Sequence, residues 1–179
     1  MKLALAFADA VDAVTRGFGK LAALILLILI ALIGWNVGGR YIGGGGSVAL
    51  QELEWHLLAP IALFGVAVLM LEKGHVRVDM VYNRLSRRAQ HLLDLVSMLC
   101  GVVIAILFVK YSIGFVDSAW SINEGSPDPG GLPARYIVKS IIPMGFVFVA
   151  LQCLSNAIRH AAALAGVDDG SDDRAETAS

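Results

Sequence analysis

Four histidines, His56, His75, His91 and His160, have the widest scope for chemistry in this sequence. Two of them could hold a haem if their rings approached the iron from opposite sides at one depth. His56 stands at the mouth of an apolar run, His75 and His91 flank a basic stretch, and His160 follows the last apolar run. Only His91 and His160 can sit level, and both fall at the edge of their segments. Glu52 and Glu54 are two apart, so on a helix they point to different sides and form no acid–base pair. Cys100 and Cys153 lack CxxC spacing and read as small buried apolar groups. No HExxH, GxSxG or nucleophile–base spacing occurs, and no Lys follows the glycines at 43–46 as a phosphate-cradling loop requires. We read no catalytic residue, no metal ligand and no cofactor site.

The elements that must position these groups are apolar. Of the 179 residues, 57% are hydrophobic and mean hydropathy is +0.71, too apolar for an ordinary soluble domain. Four runs dominate, at 21–39, 55–71, 95–109 and 140–158. With their flanks, each is long enough to cross a hydrocarbon layer that needs about 20 residues. Thiols aside, their only ionisable side chain is His56. Embedded acids and bases are where proton and ion transport usually happens, and a small multidrug exporter needs an embedded carboxylate. Spans one, two and four contain none. No basic stripe with interleaved aromatics points to nucleic acid.

Charge orients the spans. Lys2, Arg16 and Lys20 precede the first run, Lys73, Arg77, Arg84, Arg87 and Arg88 lie between the second and third, and Arg159 follows the fourth. Basic residues concentrate on the cytoplasmic side, so both termini are expected there. Trp35, Tyr41, Trp55, Trp120 and Tyr136 then all fall at the outer ends, where amphipathic rings favour the headgroup level. The first run is longer than a signal-peptide core and reads as a retained anchor.

Local signals fill in the rest. Leu3, Phe7, Val11, Val14 and Phe18 recur at helical spacing, with Lys2, Asp9, Asp12 and Arg16 on other faces. We expect residues 1–19 to form an amphipathic helix on the inner membrane surface, ahead of a four-helix domain over 20–160. The acidic, Gly- and Ser-containing stretch within 161–179 is expected to be a disordered cytoplasmic tail. Ser47 is placed to cap the second span, Pro60 to bend it, and Pro143 to kink or delay the fourth. Gln152 and Asn156 share one face at i, i+4 and can hydrogen-bond a neighbouring helix. The fold class expected is all-α: an integral membrane protein of four transmembrane helices. Physical reasoning alone leads to an accessory membrane subunit. The alternative is a four-helix membrane anchor or b-type haem subunit of a redox complex.

Several short segments carry a family likeness. They are Gln51-Glu52-Leu53-Glu54-Trp55, Gly74-His75-Val76-Arg77-Val78-Asp79-Met80-Val81-Tyr82, Glu124-Gly125-Ser126, Gly130-Gly131-Leu132-Pro133 and Ile142-Pro143-Met144-Gly145-Phe146. In this order, over about residues 20–160, the chain resembles the small membrane subunit, DctQ type, of TRAP (tripartite ATP-independent periplasmic) transporters. The resemblance implies a secondary uptake system of the bacterial inner membrane. In such a system a soluble periplasmic substrate-binding protein captures a small organic acid, and a large permease subunit imports it on an ion gradient. The small subunit would brace the large one among the membrane lipids and widen the docking surface. Glu52, Glu54, Glu124, Ser126 and Asp128 would contact the binding protein or fix the outer loop. Gly74, His75, Arg77 and Asp79 match the family's inner hairpin, and Gly130, Gly131 and Pro133 its outer-loop motif.

Overall fold

The computed structural model describes residues 1–42, 46–72, 82 and 84–167. They form four helices: α1 (Lys2–Ile42), α2 (Val48–Leu71), α3 (Arg87–Ser121) and α4 (Arg135–Leu164). There is no strand among the described residues. All four helices are long and apolar enough to cross a membrane. At 1.5 Å per residue α1 is about 60 Å long, twice the roughly 30 Å of a hydrocarbon core. Ser47 caps α2, accepting from the Leu50 amide, and Ser86 caps α3 through Ala89. Pro60 and Pro143 lie inside their helices; α4 begins at Arg135, so Pro143 does not delay it. Residues 161–164, expected to open the tail, are the last turn of α4. Residues 168–179 and the glycines at 43–45 lie outside the described residues.

No separate interfacial helix precedes the first span: residues 2–42 are one continuous helix. Its N-terminal part also faces differently from the sequence expectation. Ala8, Asp12 and Thr15 are buried and Leu3, Phe7 and Val14 are exposed; of the expected apolar face only Val11 and Phe18 pack inward. The cause is packing. Asp12 and Thr15 hydrogen-bond into α4, and a Cβ on Gly19 would come within 2.8 Å of Val68 in α2. Gly19 therefore sits at a close helix crossing, with no hinge.

Helix α4 is the hub, since it packs against each of the other three. The core joins Ala67 of α2, Met98 and Ala105 of α3, and Val149, Cys153 and Ala157 of α4. Lipid tails are as apolar as leucine, so helices in a membrane gain from close approach more than from hiding apolar surface. Small residues supply that approach: a Cβ on Gly101 would lie 2.8 Å from Cys153 Sγ, and one on Gly145 would lie 2.6 Å from Leu63 Cβ. Phe18, Phe64 and Phe148 then close the α1–α2–α4 junction, with ring centroids 4.2–5.8 Å apart. Of the two thiols, Cys153 is buried as expected, but Cys100 is exposed because it lies on the face of α3 turned from α4.

Candidate functional site

Polar side chains gather at the two ends of the helices. At one end, the loop after α3 folds back onto α2 through a single carboxylate. Glu52 Oε2 accepts from the Leu132 amide at 2.6 Å, and Oε1 accepts from Ser126 Oγ and from Arg135 Nη2 at 3.1 Å. The side chain is 10% exposed, so one charged group ties together the second helix, the loop and the start of α4. Hydrogen bonds to an ionised acceptor are the stronger kind.

The loop is shaped to meet this acceptor. The Ser126 amide donates to Leu132 O at 3.0 Å, and the Asp128 amide donates to Ser126 Oγ at 3.1 Å. Gly130 adopts φ +81°, where a side chain is strained. At Gly131 a Cβ would collide with Ser126 and lie 2.8 Å from Glu52 Oε2, so only glycine lets the loop approach. Ala134 also adopts positive φ, +62°, as the residue that turns the chain into α4. Beside this brace Glu124 pairs with Lys139, whose Nζ lies 4.1 Å from the Phe115 ring centroid. Glu54 is on another side of α2, as its spacing from Glu52 predicted, and accepts from Asn36 Nδ2 of α1 at 2.9 Å.

The structure thus brings Glu52, Ser126, Gly130 and Gly131 together, with Glu124 adjacent and Glu54 apart. Asp128 and Pro133 are exposed. Sequence reasoning overlooked Arg135, the Leu132 amide, Lys139 and Asn36 as partners. A signal did exist for Arg135, as the first basic residue after the Gly-Gly-Leu-Pro motif.

At the opposite end two carboxylates are buried, Asp12 and Asp94; Asp12 carries the contacts between α1 and α4. It accepts from Gln152 Nε2 at 2.9 Å, Ser155 Oγ at 2.8 Å and Arg159 Nη2 at 2.7 Å; Thr15 Oγ1 donates to Gln152 Oε1 at 2.7 Å. Asn156 donates to Met70 O of α2 at 2.9 Å, so both amides read as interhelical on α4 serve that purpose. Of these groups, Asp12, Thr15, Ser155 and Arg159 were not anticipated as a cluster. Nearby, Tyr82 donates to Asp94 at 2.7 Å, and His160 Nε2 lies 3.8 Å from the same carboxylate. Gly74, His75, Arg77 and Asp79 lie outside the described residues.

His91 and His160 are indeed level, but their Nδ1 atoms are 3.3 Å apart, within hydrogen-bond distance. Rings that touch directly leave no room for a porphyrin between them, so this pair does not fit a bis-histidine haem. Among the described residues no group of three or more His, Cys, Asp or Glu is arranged to hold a metal ion.

The sequence matches a family model described as "Tripartite ATP-independent periplasmic transporters, DctQ component" over residues 11–163. The chain belongs to the DctQ family. A Haemophilus influenzae protein named "Putative TRAP transporter small permease protein" is 28% identical over 91 residues, 51% of this chain and 54% of that relative. The aligned region therefore spans about half the length of this curated relative. The DctQ match begins at Val11, earlier than the likeness read from motifs, and so takes in Asp12 and Thr15 as well as Arg159. Both polar ends of the structure lie within the family region. For a DctQ chain, residues 11–19 of α1 thus lie inside the family region.

Proposed function

We propose that this DctQ chain is the non-catalytic small permease subunit of an importer of small organic acids, in which it braces the large permease in the bacterial inner membrane. The observation that carries the reading is the distribution of charge. Thiols aside, no acid or base occurs in the central stretches of the four helices, between Lys20 and Arg40, His56 and Glu72, Asp94 and Lys110, or Lys139 and Arg159. The buried carboxylates Glu52 and Asp12 are spent on internal ties. A protein that moved ions or carboxylates through itself would be expected to place ionisable groups in that central zone. A scaffold need not.

The same reading gives the loop end a task. Fixed to α2 by Glu52, the segment 122–134 offers a preformed surface to a periplasmic binding protein, with Asp128 and Glu124 as candidate contacts; rigid partners lose less entropy on docking. Basic residues at the opposite end orient that end, with both termini, toward the cytoplasm.

Affinity purification of the tagged chain from its native host tests this directly. Recovery of a much larger multi-span partner is expected. Vesicles containing this chain as their sole protein should show no solute uptake; accumulation against a gradient would overturn the reading.

A further inference from the structure

The brace leaves a cleft of about 450 Å³ beside it, lined in part by Gln51, Glu52, Trp55, His56, Asp128 and Arg135. We propose that this cleft binds the headgroup of one phospholipid bearing a phosphate and a primary ammonium, as in phosphatidylethanolamine. The inference is independent of the transport reading, because it concerns what the isolated chain selects from the membrane.

The cleft carries opposite charges that the fold only partly uses. Glu52 already accepts from three donors. Arg135 spends Nη2 on Glu52 and is 32% exposed, so its remaining N–H groups can meet a phosphate. Asp128 is exposed and lines the same cleft. His56 Nδ1 lies 2.6 Å from Glu52 O. A carbonyl only accepts, so Nδ1 carries the proton and Nε2 of the neutral ring is left as an acceptor. Gln51, His56 and Asp128 thus bring acceptor-bearing side chains of different kinds to the lining, and Arg135 one cation.

This combination discriminates among ligands. A simple anion meets Asp128 and Glu52, and a simple cation meets Arg135, so each is opposed by one wall. A zwitterion satisfies both. A trimethylated ammonium has no N–H to donate, whereas a primary ammonium brings three.

Position points to lipid as the source. Trp55, in the cleft wall, is 70% exposed, and Trp35, Tyr41 and Trp120 are exposed toward the same ends of their helices, as rings at headgroup level are. Below Trp55, Leu58, Ala62, Val66 and Leu69 continue one exposed apolar stripe at helical spacing down α2. That stripe gives an acyl chain a continuous track from the cleft.

The test is native mass spectrometry of the purified full chain with equimolar phosphatidylethanolamine, phosphatidylcholine and phosphatidylglycerol of matched acyl chains. One ethanolamine lipid should be retained roughly tenfold over the choline lipid, a ratio suited to the loss of one charge-assisted contact. Asp128→Asn combined with Gln51→Leu should bring the two near parity; both positions are at the surface of the brace, and circular dichroism checks that the helices persist. Equal retention by the native chain, preference for the glycerol lipid, or an unchanged ratio in the double variant would each overturn the proposal. Full displacement by soluble phosphoethanolamine would reassign the cleft to a free metabolite. Loss of binding-protein association in Asp128→Asn with the lipid ratio unaltered would assign it to a protein side chain instead.

Discussion

Glu52 and Leu132 stand 80 positions apart, yet the Leu132 amide donates to Glu52 Oε2 at 2.6 Å. The contact converts a loop rich in proline and glycine into a fixed part of the helical frame. Without an acceptor at position 52, Ser126, Leu132 and Arg135 would each keep an unanswered donor.

Replacement of Glu52 should therefore release segment 122–134 without unfolding the spans. Glu52→Ala is expected to abolish hydrogen-exchange protection of the Leu132 amide and to speed proteolysis within the loop. Glu52→Gln, which keeps an acceptor oxygen, should have a smaller effect. Unaltered protection at Leu132 in the alanine variant would show that the loop holds its shape by other means.

Asp12 is the equivalent tie at the other end, and it is only 5% exposed. Asp12→Ala leaves Gln152, Ser155 and Arg159 each without one acceptor and should destabilise the chain by on the order of 3 kcal/mol. Arg159→Ala should cost less, because Asp12 retains two donors. The double variant should be less destabilised than the sum of the two, a coupling measurable by unfolding in mixed micelles. Strict additivity would mean the pair acts independently.

The α2–α4 contact is sensitive to a single atom. A Cβ at Gly145 would lie 2.6 Å from Leu63 Cβ, so Gly145→Val should cost about 1–3 kcal/mol through forced separation of the helices. Gly114 in α3 has nothing within 4 Å of its added Cβ. Gly114→Ala should be neutral or stabilise by up to about 1 kcal/mol through helix propensity. Thermal unfolding of the two variants side by side checks both expectations; equal effects would remove the packing explanation.

The four spans, the Ser47 cap and the interhelical use of Gln152 and Asn156 were readable from the sequence because each is a local signal. The brace was readable only in part. Glu52, Ser126 and Gly131 were marked as family motif, but nothing in the sequence says that residues 74 to 83 positions apart share one carboxylate. The N-terminal segment was misread for a physical reason. In water the polar side of a helix faces solvent, so Asp12 was assigned to the outside. Where the surroundings are hydrocarbon, the polar side can be the one worth burying, and Asp12 and Thr15 turn toward Gln152. Apolar periodicity fails similarly: Leu27 and Val103 are exposed to a solvent as apolar as the core, so their spacing carries no mark of which side packs.

Because α4 touches every other helix and is the last of the four to emerge from the ribosome, the order of synthesis runs against the order of contacts. Until α4 is inserted, Asp12 has none of its partners on Gln152, Ser155 and Arg159, and Glu52 lacks Arg135. Chains released before that point hold Asp12 without those three partners, while Glu52 keeps only its loop donors, Ser126 and the Leu132 amide. In such fragments a carboxylate fitted to the interior is left uncompensated, and insertion of α4 supplies all three of its partners together.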